Sequence, residues 1–338
     1  MHNVGLGDLI ERDYPMAKWC LGIDLGGTFI KFVLVDEKFR HTPTMQLPTP
    51  PQGGSGNVVA QMAAGLGKIF KKNRVRRDDV LGIGVGSPGP ISISRGMVMA
   101  MPNIPGMDKC PLAGMVAEAA GLPTVLENDA NAAAYGEYIA GAGKNVSDMV
   151  MFTLGTGVGG GVIIGGQIVH GVHDAGAELG HLIVQPEGAL CGCGQRGCLE
   201  QYASATFMAR RTEEALAAGD EPSLLRAVLK RKGKLESRDV NEARSKGDKF
   251  AARMWDQCAY YLALACVSFC RIFDPDEIVR AGGMSNAGQD LLRPLKKHFK
   301  AQTWTLLPPL TRISIARLGN DAGAIGAAGV AWQRLGGK

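Results

Sequence analysis

The sequence predicts a two-lobed α/β protein with a central ligand cleft. Three observations carry that expectation. The chain has 338 residues, more than one typical domain. Hydrophobic residues make up 46% of it and charged residues 20%, so it can bury a sizeable core. Its two halves each open with strand, glycine turn and strand before helices enter, and ligands of such paired lobes lie in the cleft between them.

In the first half, an apolar strand over 19–24 meets a Gly-Gly turn and a second strand over 30–35. The turn chemistry and β-branched flanks make this a hairpin. Asp36 to Lys38 turn the chain into a third strand ending near Leu47. A Pro/Gly-rich loop over 48–56 leads to a helical pattern over 58–70. Residues 80–86 are a short apolar run of buried-strand type, 112–120 reads as helix, 123–127 as strand and the alanine-rich 129–140 as helix. The pattern then restarts with a strand over 149–154, a glycine-rich turn over 155–161, and strands over 162–164 and 167–169. A long helix over 249–273, a strand over 277–281 and an Ala/Gly-rich helix over 322–335 follow. The expected division is an N-terminal lobe over 19–128, to which the helix within 322–338 returns, and a C-terminal lobe over 129–321.

Charge and cysteine usage narrow the class. The net charge of +5 is modest. The basic runs, Lys71 to Arg77 and residues 210–246, read as solvated helix ends and not as a nucleic-acid patch. The first eighteen residues lack the apolar core of a signal peptide, and the longest apolar stretch, 259–270, falls short of the about 20 residues a bilayer requires. Eight cysteines without a secretion signal argue for thiols or metal ligands. The expectation is a cytoplasmic enzyme with no membrane or nucleic-acid partner.

Two glycine turns point to phosphate handling. The first is Asp24-Leu25-Gly26-Gly27-Thr28, with Lys31 three residues on. Glycine lets the backbone approach a phosphate and donate its N–H groups. Asp24, at a strand end, suits Mg²⁺ held through water, and Thr28 suits a phosphate oxygen. A plain hairpin turn is the alternative reading of this segment. In the second half, Gly155-Thr156-Gly157 can cradle the β- and γ-phosphates. Gly155, Gly157 and Gly160 fit a loose dinucleotide pattern, but strands follow them where that fold needs a helix. His181, Cys191, Cys193 and Cys198 supply one imidazole and three thiolates, a set that suits tetrahedral zinc in a closed, structural site.

These features, with Ser87-Pro88-Gly89-Pro90, Pro102-Asn103-Ile104-Pro105-Gly106 and Glu127-Asn128-Asp129-Ala130-Asn131, make residues 20 to 331 resemble the ROK family of the actin–hexokinase superfamily. That family contains sugar kinases and sugar-responsive repressors. The resemblance implies the actin-like (ribonuclease H-like) ATPase fold and a homodimer. It implies Asp129 as general base, although from the residues alone Asn128 or Asp129 reads as an ordinary helix N-cap. It also implies that Asn103, Asn128, Glu178, His181 and Glu200 contact the sugar, with His181 binding zinc through one nitrogen and facing the sugar with the other. The four-residue zinc motif matches ligand by ligand, and Gly282-Gly283 falls in the adenosine region. The family's usual tryptophan after Pro-Gly is replaced by Met107, which changes one expected wall of the sugar approach. Cys258, Cys266 and Cys270 read as small apolar packing.

The leading expectation is transfer of the γ-phosphate of ATP, with Mg²⁺, to the 6-hydroxyl of a hexose, glucose first. N-acetylglucosamine, N-acetylmannosamine, mannose and fructose are the alternatives, and polyphosphate is the rival donor. A sugar-responsive repressor is the remote alternative, because about twenty residues before Cys20 are too few for a three-helix DNA-binding domain.

Overall fold

A computed structural model describes residues 18–101, 103–302 and 304–336. The expected absence of a signal peptide falls on residues 1–17, and Pro102 of the Pro-Asn-Ile-Pro-Gly motif is single; both lie outside the described residues. The first half runs β1 (Trp19–Leu25), β2 (Phe29–Asp36), β3 (Met45–Pro48), α1 (Ser55–Asn73), β4 (Val80–Ser87), β5 (Ile91–Ser92), β6 (Met97–Val98), α2 (Leu112–Ala120), β7 (Thr124–Asn128) and α3 (Asp129–Ala140). The second runs β8 (Met149–Leu154), β9 (Val158–Ile164), β10 (Gln167–Ile168), α4 (Glu200–Ala203), α5 (Ala205–Ala217), α6 (Leu225–Lys232), α7 (Ser237–Ser245), α8 (Lys249–Phe273), β11 (Glu277–Ala281), α9 (Gln289–Gln302), β12 (Arg312–Ile315) and α10 (Ala322–Leu335).

Two five-stranded sheets result, ordered β3-β2-β1-β4-β7 and β10-β9-β8-β11-β12. Each is an antiparallel meander joined to two further parallel strands, so the halves repeat one topology. Parallel strands need long crossovers, and here helices supply them on the sheet faces. The parallel strands end at Leu25, Ser87, Asn128, Leu154, Ala281 and Ile315. Open α/β sheets bind ligands at the carboxyl ends of such strands.

Local sequence explains the main helices. In α8 the buried side chains Phe250, Met254, Cys258, Leu262, Cys266 and Cys270 recur every four residues, with Ala251, Trp255, Ala259 and Phe269 beside them, and the stripe covers the second sheet. Asp248 caps it by accepting from Ala251 N–H at 2.9 Å, and Asp274 ends it in the left-handed region. Each large apolar side chain buried there contributes about 1.5–3 kcal/mol. The helix α1 begins at Ser55, before the expected position 58, because its first turn is polar and falls outside the apolar period.

A third apolar cluster joins the sheets to each other. It combines Cys20, Val33 and Val35 of the first sheet, Met149, Met151, Ile163 and Val279 of the second, and residues of α3 and α10. Small residues make this possible: a Cβ on Gly326 of α10 would collide with the Ala132 carbonyl of α3. The expected glycine-rich turn over 155–161 is shorter than read. Gly159 to Gly161 belong to β9, where they pair with Thr153, Phe152 and Met151. Met107 is fully buried in the core of the first lobe and forms no wall of the cleft.

Candidate active site and metal centre

The first glycine turn closes a tight hairpin. Leu25 pairs with Ile30, and Gly26 N–H donates to the Phe29 carbonyl at 3.0 Å. Thr49 fastens it, donating Oγ1 to the Gly26 carbonyl at 2.6 Å and its N–H to the Thr28 carbonyl at 2.9 Å. Gly27 and Thr28 are left exposed, with Asn103 beside Gly27. Lys31, directly opposite Asp24 across the hairpin, reaches Asp24 Oδ2 at 3.4 Å and donates to the Asn320 carbonyl at 2.6 Å. Burial nevertheless pushes the Asp24 carboxyl above its ordinary value, with Lys31 opposing.

Asn128 ends β7 and is the N-cap of α3: its Oδ1 accepts from Ala130 N–H at 3.0 Å and Asn131 N–H at 3.2 Å. Both readings of the cap are thereby decided in favour of Asn128. Asp129 begins the helix; its Oδ1 accepts from Ala130 N–H at 2.8 Å, and Oδ2 has no partner among the described residues. Burial raises the Asp129 pKa, the Ala130 N–H lowers it, and the negative charges of Asp24 and Glu178 raise it again.

A cleft of about 790 Å³ gathers Asp24, Asp129, Gly155-Thr156-Gly157, Glu178, His181, Glu200 and Gly282-Gly283. It is therefore lined from both sheets. The structure does not bring Gly26, Gly27, Thr28 or Lys31 to the lining of this cleft; they stand at its N-terminal side with Asn103. Asn128 opens instead on a small adjoining cavity that shares Glu178 and also exposes Asn131 and Asp174. Glu200 grips the second glycine turn, since its Oε2 accepts from Val158 N–H at 3.0 Å.

A second cleft of about 900 Å³ continues from the first through Gly155, Thr156, Gly283 and Asn286. Arg210 of α5, Lys234, Arg238 of α7 and Trp255 of α8 line it. Sequence reasoning missed these walls. In the sequence the run over 210–246 reads as solvated helix ends, and its adjacency to a glycine turn far away in sequence carries no local signal.

Gly282 lines the first cleft next to Gly283, which both clefts share. Its φ of 88° lies in the left-handed region, and a Cβ there would collide with the Leu154 backbone at the end of β8. A Cβ on the neighbouring Gly283 would meet nothing within 4 Å. Gly282→Ala is expected to cost about 1–3 kcal/mol. Thermal melts should show a lower Tm for Gly282→Ala and an unchanged one for Gly283→Ala. Equal melting of the two variants contradicts the assigned strain.

The thiol cluster follows the same cleft wall. One ligand atom each from His181, Cys191, Cys193 and Cys198 falls within 4.8 Å of the others. Cys193 Sγ lies 3.7 Å from Cys198 Sγ, and Cys191 Sγ lies 3.6 Å from His181 Nδ1. Tetrahedral zinc with ordinary bond lengths sets these edges at about 3.8 Å and about 3.6 Å. The donor set and its spacing therefore fit that ion. His181 turns Nδ1 to the cluster while its residue lines the catalytic cleft.

The family model described as the ROK family matches residues 20–334. The chain belongs to the ROK family. This ROK protein is 39% identical to a glucokinase of Halalkalibacterium halodurans over 310 residues, covering 91% of this chain and 93% of the relative. Its fold is similar to the crystal structure of a ROK hexokinase from Thermus thermophilus, with a TM-score of 0.84, 33% identity and coverage of 95% and 100% of the two chains. A ROK family glucokinase from Streptomyces griseus, crystallised with glucose and AMPPNP, is 35% identical with a TM-score of 0.73, covering 93% of this chain and 99% of the other. No helix among the described residues of this ROK protein is long and apolar enough to cross a membrane.

Proposed function

We propose that this chain is an ATP-dependent glucokinase that phosphorylates the sugar 6-hydroxyl. The observation that carries the proposal is one cleft lined both by Asp129, whose Oδ2 has no partner among the described residues, and by the glycine turn of the opposite sheet. Similarity to glucokinases, one of them crystallised with glucose and an ATP analogue, supports the choice of substrate and donor.

Phosphoryl transfer is mainly positioning and charge neutralisation. Asp129 Oδ2 accepts the proton of the attacking hydroxyl, and Oδ1 stays tethered to Ala130. Glu178, His181 and Glu200 accept and donate hydrogen bonds to the sugar hydroxyls, with Asn103 and Asn128 on the first-lobe side. Gly155, Thr156 and Gly157 cradle the phosphates, joined on lobe closure by Gly26, Gly27, Thr28 and Lys31. Gly282 and Gly283 pass the nucleotide into the larger cleft, where Arg210 and Arg238 flank it. Mg²⁺, when bound with ATP, offsets phosphate charge beside Asp24. Zinc held by His181, Cys191, Cys193 and Cys198 is structural, since four protein ligands leave no open position. A homodimer and a cytoplasmic location belong to the same proposal.

A coupled assay decides it. ATP or polyphosphate is supplied with glucose, mannose, fructose, N-acetylglucosamine or N-acetylmannosamine. The expected result is the highest kcat/KM for glucose with ATP. Absence of glucose turnover, or a clear preference for an N-acetylhexosamine, would overturn the reading.

A further inference from the structure

Glu127 is the penultimate residue of β7, one residue before the cap of α3 and two before Asp129, and it is fully buried. Four donors converge on its carboxylate. Oε1 accepts from Asn128 N–H at 2.9 Å and from Asn131 Nδ2 at 3.2 Å. Oε2 lies 2.7 Å from Arg334 Nη2 and 2.9 Å from His170 Nε2. Arg334, in the last turn of α10, also donates Nη1 to the Leu126 carbonyl at 3.0 Å. His170 follows β10, and its carbonyl accepts from Gly176 N–H at 2.7 Å, closing the loop that leads to Glu178. One carboxylate thus touches the first sheet, the start of α3, the sugar-facing loop of the second lobe and the C-terminal helix.

The cost of this arrangement argues that it does something. Burial opposes ionisation of Glu127, yet the hydrogen bond and charge of His170, then the charge of Arg334 and the Asn128 N–H, hold its pKa below the ordinary value. A buried ion pair is weak as a stabilising device, because desolvation offsets much of the attraction. The cap of α3 does not require it either, since Asn128 fills that role. What the carboxylate does fix is orientation: it holds the Asn128 N–H and the Asn131 amide on either side of Asp129.

We propose that Glu127 is a positioning residue for phosphoryl transfer, which His170 and Arg334 lock so that the Asn128–Asp129 segment and the sugar loop keep one relative register. The inference rests on Asp129 acting as base on the sugar hydroxyl. Neither Glu127 nor its neighbours His170 and Arg334 need to touch substrate. A misplacement of about 1 Å at a reacting group costs on the order of 100-fold in rate.

The test compares Glu127→Gln, Arg334→Met, Arg334→Lys and the parent in steady-state kinetics, with zinc content and Tm measured alongside. Gln keeps the size of Glu127 but turns an amide donor against either the guanidinium or the Asn128 N–H. The expected result is a kcat lowered by about 10- to 100-fold in Glu127→Gln and Arg334→Met, with the KM for ATP held within about twofold. Arg334→Lys should recover most of the loss. A folded Glu127→Gln protein that turns over at the parent's kcat overturns the proposal. If Glu127→Gln does not fold, the Arg334 pair decides, since that side chain is partly exposed; equal kcat in the Met and Lys variants then overturns it. A parent without turnover defeats the kinase reading instead. Glucose affinity by calorimetry then judges the network: loss of binding in Arg334→Met but not in Arg334→Lys supports it, and equal affinity overturns it.

Discussion

Asp129→Asn is expected to lower kcat by about 10²- to 10⁴-fold while leaving the KM values for glucose and ATP nearly unchanged. The amide keeps Oδ1 for the Ala130 N–H and loses only the capacity to take a proton at Oδ2. The same substitution should not lower the Tm. Burial, together with the charges of Asp24 and Glu178, places the native Asp129 pKa above its unfolded value. For an acid this means the native state holds the proton more tightly, so its contribution to stability falls as pH rises through the native pKa. Above the native pKa the ionised carboxylate is a net cost to folding that the amide removes. In the parent, the acid limb of the kcat/KM profile should sit above the ordinary carboxylate range, with activity rising as Asp129 loses its proton. A variant that folds, keeps its zinc and works at the parent's rate would remove Asp129 from the mechanism.

Zinc removal is the second large effect. The segment from Glu178 to Glu200 contains one short 3₁₀ turn, Leu179–His181, and otherwise two isolated bridges, Ile183 with Cys198 and Leu190 with Arg196. Leu179 and Leu199 bury the two ends of the segment in the core and Leu182 and Val184 pack partly against it, but Ile183 and Leu190 are exposed, so the stretch around the cysteines has little apolar anchoring of its own. Cys198, by contrast, is completely buried under it. Structural zinc contributes on the order of 10 kcal/mol where ligands would otherwise be unheld. Cys198→Ser, or exhaustive chelation, is therefore expected to abolish stoichiometric zinc in elemental analysis and to lower kcat/KM for glucose by about 100-fold or more. AMPPNP binding by calorimetry should persist, because the second glycine turn is built from β8 and β9 and not from the loop. Metal-free protein with full activity on glucose excludes this role, and loss of both ligands together would mark a general folding defect.

Much of the frame is legible in the sequence wherever side-chain period is strong. The bounds of α3, β8, α8, β11 and α10 coincide with alanine-rich or apolar runs flanked by polar residues. Gly159 to Gly161 have no side chains to show a period, and only pairing with β8 makes them strand. The thiol cluster was readable because its ligands are close in sequence and chemically distinctive. Glu127 was readable only as part of a motif, since Arg334 lies 207 residues away and His170 43 residues away. Met107 stands where the family motif places a tryptophan, yet its direction is set by packing within the first lobe. The arginines that flank the larger cleft are likewise products of tertiary placement.

The apolar cluster shared by the two sheets has a consequence for how the molecule is made. Strands β1 and β4 leave the ribosome early, but α10, which packs on both of them and on α3, is translated long afterwards. Growing chains ordinarily finish their leading domain first. Here the leading sheet must wait, one face uncovered, until the trailing helix emerges to seat against it. The nascent protein thus spends most of its synthesis with a greasy, glycine-notched surface open to chaperones and proteases.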